Sequence, residues 1–160
     1  MTPLTVVNDM RNCGICTACC TAKGVAELDK PGGTACRFIA QQGQGVGCII
    51  YADRPLSCQV YKCMWLANQI DKKLKPNECG FVLDIDRETV TKHFFHCATP
   101  AWPNAFKDDK VLFRLKKLCK KLKAPIILHE HSIMAPVSHR WKKKLIDTFG
   151  VGIRITWVGV

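Results

Sequence analysis

The chain has 160 residues, a formal charge of +11 from 24 Lys and Arg against 13 Asp and Glu, and eleven cysteines. That length suits one compact domain with an ordinary core, and no run approaches the ~20 apolar residues of a membrane span. The opening residues, with Asn8, Asp9 and Arg11, lack the basic start and apolar stretch of a secretory leader, so the expectation is a soluble, cytoplasmic protein with reduced thiols.

After a short lead-in, Met1 to Asn12, eight of the eleven cysteines fall between positions 13 and 63: Cys13, Cys16, Cys19, Cys20, Cys36, Cys48, Cys58 and Cys63. They open as C-x2-C-x2-C-C, and two-residue gaps let successive thiolates turn toward one point. Disulfides need an oxidising compartment, and buried free thiols occur singly rather than in such density. Metal chelation is therefore the reading for this stretch. Adjacent cysteines cannot point the same way in helix or strand, so Cys19 and Cys20 serve different metals or opposite sides of one cluster.

A short helix is expected from the Cys19-Cys20 pair to Leu28, weakened by Gly24. Lys30 to Gly33 is a turn. Cys36 to Ile39 and Cys48 to Tyr51 read as arms of a hairpin that brings Cys36 and Cys48 together around the three-glycine loop 41–47. That loop lacks both phosphate-binding glycine patterns. Asp53-Arg54-Pro55 reads as a helix start, with Asp53 as cap and the helix running to about Asn68. Five residues put Cys58 and Cys63 about 140° apart on a straight helix, so either the helix breaks near Tyr61 or the two serve separate sites.

Asp71 to Asn77, with Pro76, reads as a linker. Phe81 to Ile85 alternates as a half-buried strand, and Thr89 to His96 as its return. A connection over Thr99 to Asn104 leads to an amphipathic helix, Asp108 to Leu122, whose apolar face carries Val111, Leu115, Leu118, Cys119 and Leu122. A buried strand at Ile126 to Leu128, an irregular stretch from Ser132 to Ser138, a basic helix from Arg140 to Phe149 and a strand from Ile153 to Val160 complete the chain. The expected fold class is α+β: a loop-rich cysteine-cluster metal module over residues 1–76, then a basic region over 77–160 with a small sheet and one or two helices, packed on the module or continuous with it.

The combination of C-x2-C-x2-C-C at Cys13 to Cys20 with Cys36, Cys48 and Tyr51-x2-Arg54-Pro55-x2-Cys58-x4-Cys63 resembles the YkgJ-type cysteine-cluster family. This is the CxxCxxCC group described as zinc- or iron-chelating. The likeness spans about residues 11–66 and extends weakly through Cys79-Gly80-Phe81. It implies metal binding by all eight cysteines and no particular reaction. A related cluster occurs in a flagellin lysine methylase, but no signature for a methyl donor is visible here.

Eight thiolates divide into two four-cysteine tetrahedral sites, the arrangement of structural zinc, so about two zinc ions are expected. The rival is an iron–sulfur cluster, since C-x2-C-x2-C resembles part of a ferredoxin motif; the immediate Cys20, followed by Thr21 rather than proline, departs from it. Tyr51 and Arg54 would either donate to the thiolates from a second layer or simply pack and face solvent. Cys119 reads as core. A further site from Cys79, His96 and Cys97 is weakened because His93 and His96 would face opposite sides of a strand. His129 and His131 have no evident third ligand. No G-x-S-x-G or H-E-x-x-H motif is present.

Three functions follow from the sequence: a zinc protein with a structural or interaction role, an iron–sulfur redox protein or enzyme on the same cysteines, and a nucleic-acid binder on a metal-stabilised scaffold. Residues 81–160 carry 15 of the basic residues and 7 of the acidic ones, a surplus that suits nucleic acid or an acidic protein. Against the nucleic-acid reading, only Phe113 interrupts the basic stretch from Val111 to Lys123, so a stacking platform is missing.

Overall fold

The computed structural model describes residues 11–87, 94–124, 126–129 and 133–134. The lead-in over residues 1–10, His93, His131, the helix expected from Arg140 and the strand expected from Ile153 lie outside them. Four strands form one mixed sheet in the order β1 (Phe81–Arg87), β2 (Phe94–Pro100), β3 (Ile126–His129), β4 (Ile133–Met134). β1 and β2 are antiparallel, with Phe81 opposite Pro100, and β2 and β3 run parallel, with His96 opposite Ile126. β4 turns back antiparallel on β3. The parallel pair needs a crossover, and the connection from β2 to β3 carries the helix Asp109–Leu122.

Three short helices precede it: α1 (Ala18–Ala22), α2 (Leu56–Val60) and α3 (Pro76–Cys79). With these the long helix is α4. Asp108 caps it by accepting from the Lys110 backbone N–H at 2.8 Å. Val111, Leu115, Leu118 and Cys119 are buried as the periodicity requires. They join Phe81, Val82 and Leu83 of β1, Ala98 of β2 and Ile126 and Leu128 of β3 in one core. The same core takes Ala18, Ala22, Cys63, Met64 and Trp65 from the cysteine-rich half. The fold is α+β, a small sheet and α4 sharing one core with residues of the cysteine-rich half.

Several expected elements are different in the structure. The helix from the Cys19-Cys20 pair stops at Ala22; Gly24 follows, and Ala26 to Leu28 forms a separate 3-10 turn held by a Val25–Lys30 bridge. The hairpin arms reduce to a single bridge between Ile39 and Cys48. The helix expected from Asp53 begins only at Leu56, with Pro55 as its N-cap, and ends at Val60. Pro76 lies at the first position of α3, where its missing N–H costs nothing, rather than in a linker. β1 does not alternate as expected: Phe81, Val82 and Leu83 are all buried because both faces are covered, and Ile85 is exposed. β2 extends through Pro100, and Ile133–Met134 pairs as a strand where irregular chain was expected.

One contrast positions the site. Between Pro31 and Lys62 the only buried residue is Gly47. This half of the cysteine-rich region has no hydrophobic core of its own.

Candidate functional site

The local backbone brings each cysteine of the cluster to one place. Cys16 donates its N–H to the Cys13 carbonyl at 2.8 Å, a turn over Gly14. Ala18 and Ala22, four residues apart, bury one stripe of α1. On α1 Cys19 lies about 80° from the centre of that stripe and Cys20 opposite it, about 100° from Cys19. Cys36 is tied to α1 through its N–H on the Cys20 carbonyl at 3.0 Å. The Ile39–Cys48 bridge, with Ile49 N–H on the Phe38 carbonyl at 3.0 Å, returns Cys48 beside the Cys36 segment. Gly47 has a φ of +81°, and a Cβ there would stand 2.5 Å from the Gly14 carbonyl oxygen. Only glycine lets this loop close on the Cys13 turn.

Cys58 lies on α2. Tyr61 then leaves the helical region with φ −69° and ψ 129°. Of the two alternatives left by the spacing of Cys58 and Cys63, this is the break near Tyr61, and both cysteines line the same cavity. All eight cluster cysteines line one cavity of about 320 Å³. Among the described residues, no three Cys, His, Asp or Glu side chains stand in a ready-made chelating arrangement. The sulfurs surround a volume rather than converge on a point.

Burial opposes ionisation of several of these thiols, and nearby donors and cations work against it. Burial pushes the Cys13 thiol up, and Cys16 and Cys20 add to it, while the Arg54 guanidinium and a hydrogen bond with Tyr51 oppose. Burial likewise raises Cys63, with Asp84 and Cys13 adding to it. Cys19 and Cys20 share a hydrogen bond that raises Cys19 and lowers Cys20, and Lys30 and Arg54 assist the lowering. Lys30 is 8% exposed, its ammonium donating to the carbonyls of Thr21, Lys23 and Pro31. Arg54 stacks 3.8 Å over the Tyr51 ring, and its buried Nε has no hydrogen-bond partner among the described residues. Arg54, which lines the cavity with an unsatisfied donor, is the cation placed to reach sulfur. A cationic donor next to sulfur is what a cluster of thiolates requires, so eight cysteines with Arg54 fit a polythiolate metal centre.

The far wall was not legible in the sequence. Lys23 and Tyr61 line the cavity, and both reach Asp84 on β1: the Tyr61 hydroxyl donates to one carboxylate oxygen and the Lys23 ammonium pairs with the other. Burial, then the Asp84 charge and this hydrogen bond, push the Tyr61 phenol up, so it stays protonated. Glu27 closes another edge, accepting from the Ser57 N–H at 3.0 Å and hydroxyl at 2.8 Å. Its own backbone N–H and Ser57 hold the Glu27 carboxyl below its usual value. No spacing rule links residues 61 and 84 or 27 and 57; the sheet and loops bring them together.

The remaining cysteines lie apart from the cavity lining. Cys79 is buried, its sulfur 3.4 Å from the carbonyls of Leu74 and Phe81, and burial pushes its thiol up to about 12. Cys97 is buried on β2 opposite Asp84. Burial lowers His96, its neighbour in the chain. Cys119 is core, as the helical periodicity indicates.

Comparison of the chain with family models, with curated proteins and with solved structures finds no match.

Proposed function

We propose that this is a metal-binding protein whose eight clustered thiolates hold about two zinc ions in a structural role. The observation that carries the reading is that all eight cysteines singled out by spacing line one cavity. A second fact supports it: residues 31–62 bury only Gly47, so burial alone gives this segment little reason to be ordered. Metal supplies what the missing core does not, since structural zinc contributes ~10 kcal/mol or more to folding. Zinc held by four thiolates has no open position, and its chemistry is to staple the fold. The resemblance to the zinc- or iron-chelating cysteine-cluster family points the same way. An interaction role suits the exposed side chains of Ile15, Val46, Ile49, Leu56 and Val60 on this side of the molecule.

A second reading places an iron–sulfur cluster on the same thiols and makes the protein a redox carrier or enzyme. The observation in its favour is the single shared volume of about 320 Å³, which has room for inorganic sulfide between the thiols. Zinc is preferred because eight thiolates complete two tetrahedral sites with no added sulfide. The Lys and Arg side chains of α4 lie exposed to solvent, and a soluble charged face explains them without nucleic acid.

The test is metal-dependent protection. Limited proteolysis of the purified protein should be slow, and chelation should open cleavage sites within residues 31–62 first. Identical cleavage with and without chelator would contradict the proposal.

A further inference from the structure

The two halves of the cavity wall rest on unlike foundations. Cys63 belongs to the buried core, Cys16 packs against it, and Cys19 lies on α1 about 80° from the centre of the buried Ala18–Ala22 stripe, nearer to it than Cys20. The Met64 N–H, next to Cys63, donates to the Leu83 carbonyl of β1 at 2.8 Å and pins that segment to the sheet. Cys13 is held to Cys16 by their shared turn. On the other side, Cys36 hangs from the Cys20 carbonyl, Cys48 from a single bridge, and Cys58 from α2, which buries no residue.

We propose that the eight thiols form two centres of unequal permanence: an inner one of Cys13, Cys16, Cys19 and Cys63 fixed to the core, and an outer one of Cys20, Cys36, Cys48 and Cys58 whose metal exchanges. This rests on the metal-thiolate reading above. The Cys19–Cys20 step divides the sets by position on α1: Cys20 lies opposite the buried stripe of Ala18 and Ala22 and carries the carbonyl from which Cys36 hangs, whereas Cys19 lies nearer that stripe.

The consequence is kinetic. A segment with few buried contacts opens locally at low cost, whereas the core opens only on global unfolding. The outer ion can therefore leave through opening of residues 31–62 while β1, β2 and α4 stay folded. The inner ion leaves only when the core does. The protein becomes a two-state metal carrier, with one ion that keeps the fold and one that comes and goes.

The test follows zinc release from the full, zinc-loaded chain into excess EDTA with a colorimetric indicator, alongside limited proteolysis. The expected result is two phases of one zinc each, separated by about tenfold or more in rate, with cleavage confined to residues 31–62 during the fast phase. Cys58→Ser and Cys36→Ser should each retain one zinc, show only the slow phase and keep their thermal transition. Cys63→Ser should lose the slow phase or fail to fold; Cys58→Ser and Cys36→Ser keep the test independent of that failure. Release of both ions in one phase, or loss of both from Cys58→Ser, overturns the division and leaves the metal reading intact. A wild-type chain that takes up no zinc overturns the zinc reading itself, and the division with it.

Discussion

At the scale of single residues, the wall behind the cysteines is as specific as the cysteines themselves. Asp84 is only partly exposed and shares its two oxygens between the Tyr61 hydroxyl and the Lys23 ammonium. Lys23 also reaches the Thr99 hydroxyl at 3.4 Å, linking the residue that follows α1 to β2. Tyr61→Phe keeps the ring and removes the donor to a carboxylate. It should destabilise the metal-loaded protein by about 1.5–3 kcal/mol, the usual size for a hydrogen bond to a charged group. Urea unfolding at fixed zinc concentration reads this, and an unchanged midpoint would show that water replaces the phenol freely. The thiols make a separate, pH-dependent prediction. Burial raises Cys13, Cys58 and Cys63 above 9.0, so in the metal-free fold these groups are protonated at neutral pH. Zinc must displace those protons, so affinity should rise as pH increases and fall steeply as it decreases. Competition with a chelating indicator at pH 6, 7 and 8 should show that order together with proton release; affinity independent of pH would mean that few thiols are ligands.

At the scale of elements, periodicity and spacing were strong guides where burial alone decided the structure. Leu115 and Leu118 of α4 occupy the buried face their spacing gives them, and Ile126 to Leu128 is a buried strand. The 140° argument for Cys58 and Cys63 offered a break near Tyr61 or separate sites, and the helix does end at Val60; that argument rests on helix geometry rather than on propensity. Propensity failed where few contacts reward it. Asp53 and Pro55 suggested a helix to Asn68, but α2 has no buried residue to extend it. Pro76 suggested a linker, yet its ring is buried at the start of α3 and Cys79 enters the core. Nor could the sequence reveal Asp84 as a cavity neighbour, since that depends on the sheet lying against α1. Gly80, which ends α3, is a sharper local constraint. Its φ is +96°, and a Cβ there would fall 2.5 Å from Val111 Cγ2 of α4. Gly80→Ala should therefore cost more than the ~1 kcal/mol of an unfavourable φ alone, because α4 must shift as well. Thermal melts compare it with Gly33→Ala, which has a positive φ and nothing within 4 Å. Equal losses at the two sites would show that the contact with Val111 is relieved without penalty.

At the scale of the whole molecule, charge and burial divide the protein in the same direction. The sheet and α4 enclose the core and carry exposed Lys110, Lys116, Lys117, Lys120 and Lys121 outside. The cysteine-bearing loops have little core and enclose eight thiols with Arg54. Metal on those thiols, as proposed, would set negative charge on the loops apart from the positive charge of α4, a polar layout that would orient approach of a charged partner. No described helix is long and apolar enough to cross a membrane. The polar layout and the missing loop core both trace back to one claim, that the eight cysteines are metal ligands. Zinc is colourless, whereas iron–sulfur clusters absorb near ~400 nm. The direct measurement is elemental and acid-labile sulfide analysis of protein purified without oxygen, with the visible spectrum of the same sample. The proposed function predicts about two zinc ions per chain, no sulfide and no visible absorption. Stoichiometric iron with sulfide would replace zinc by the cluster reading, and a chain with neither metal would contradict the account at its centre.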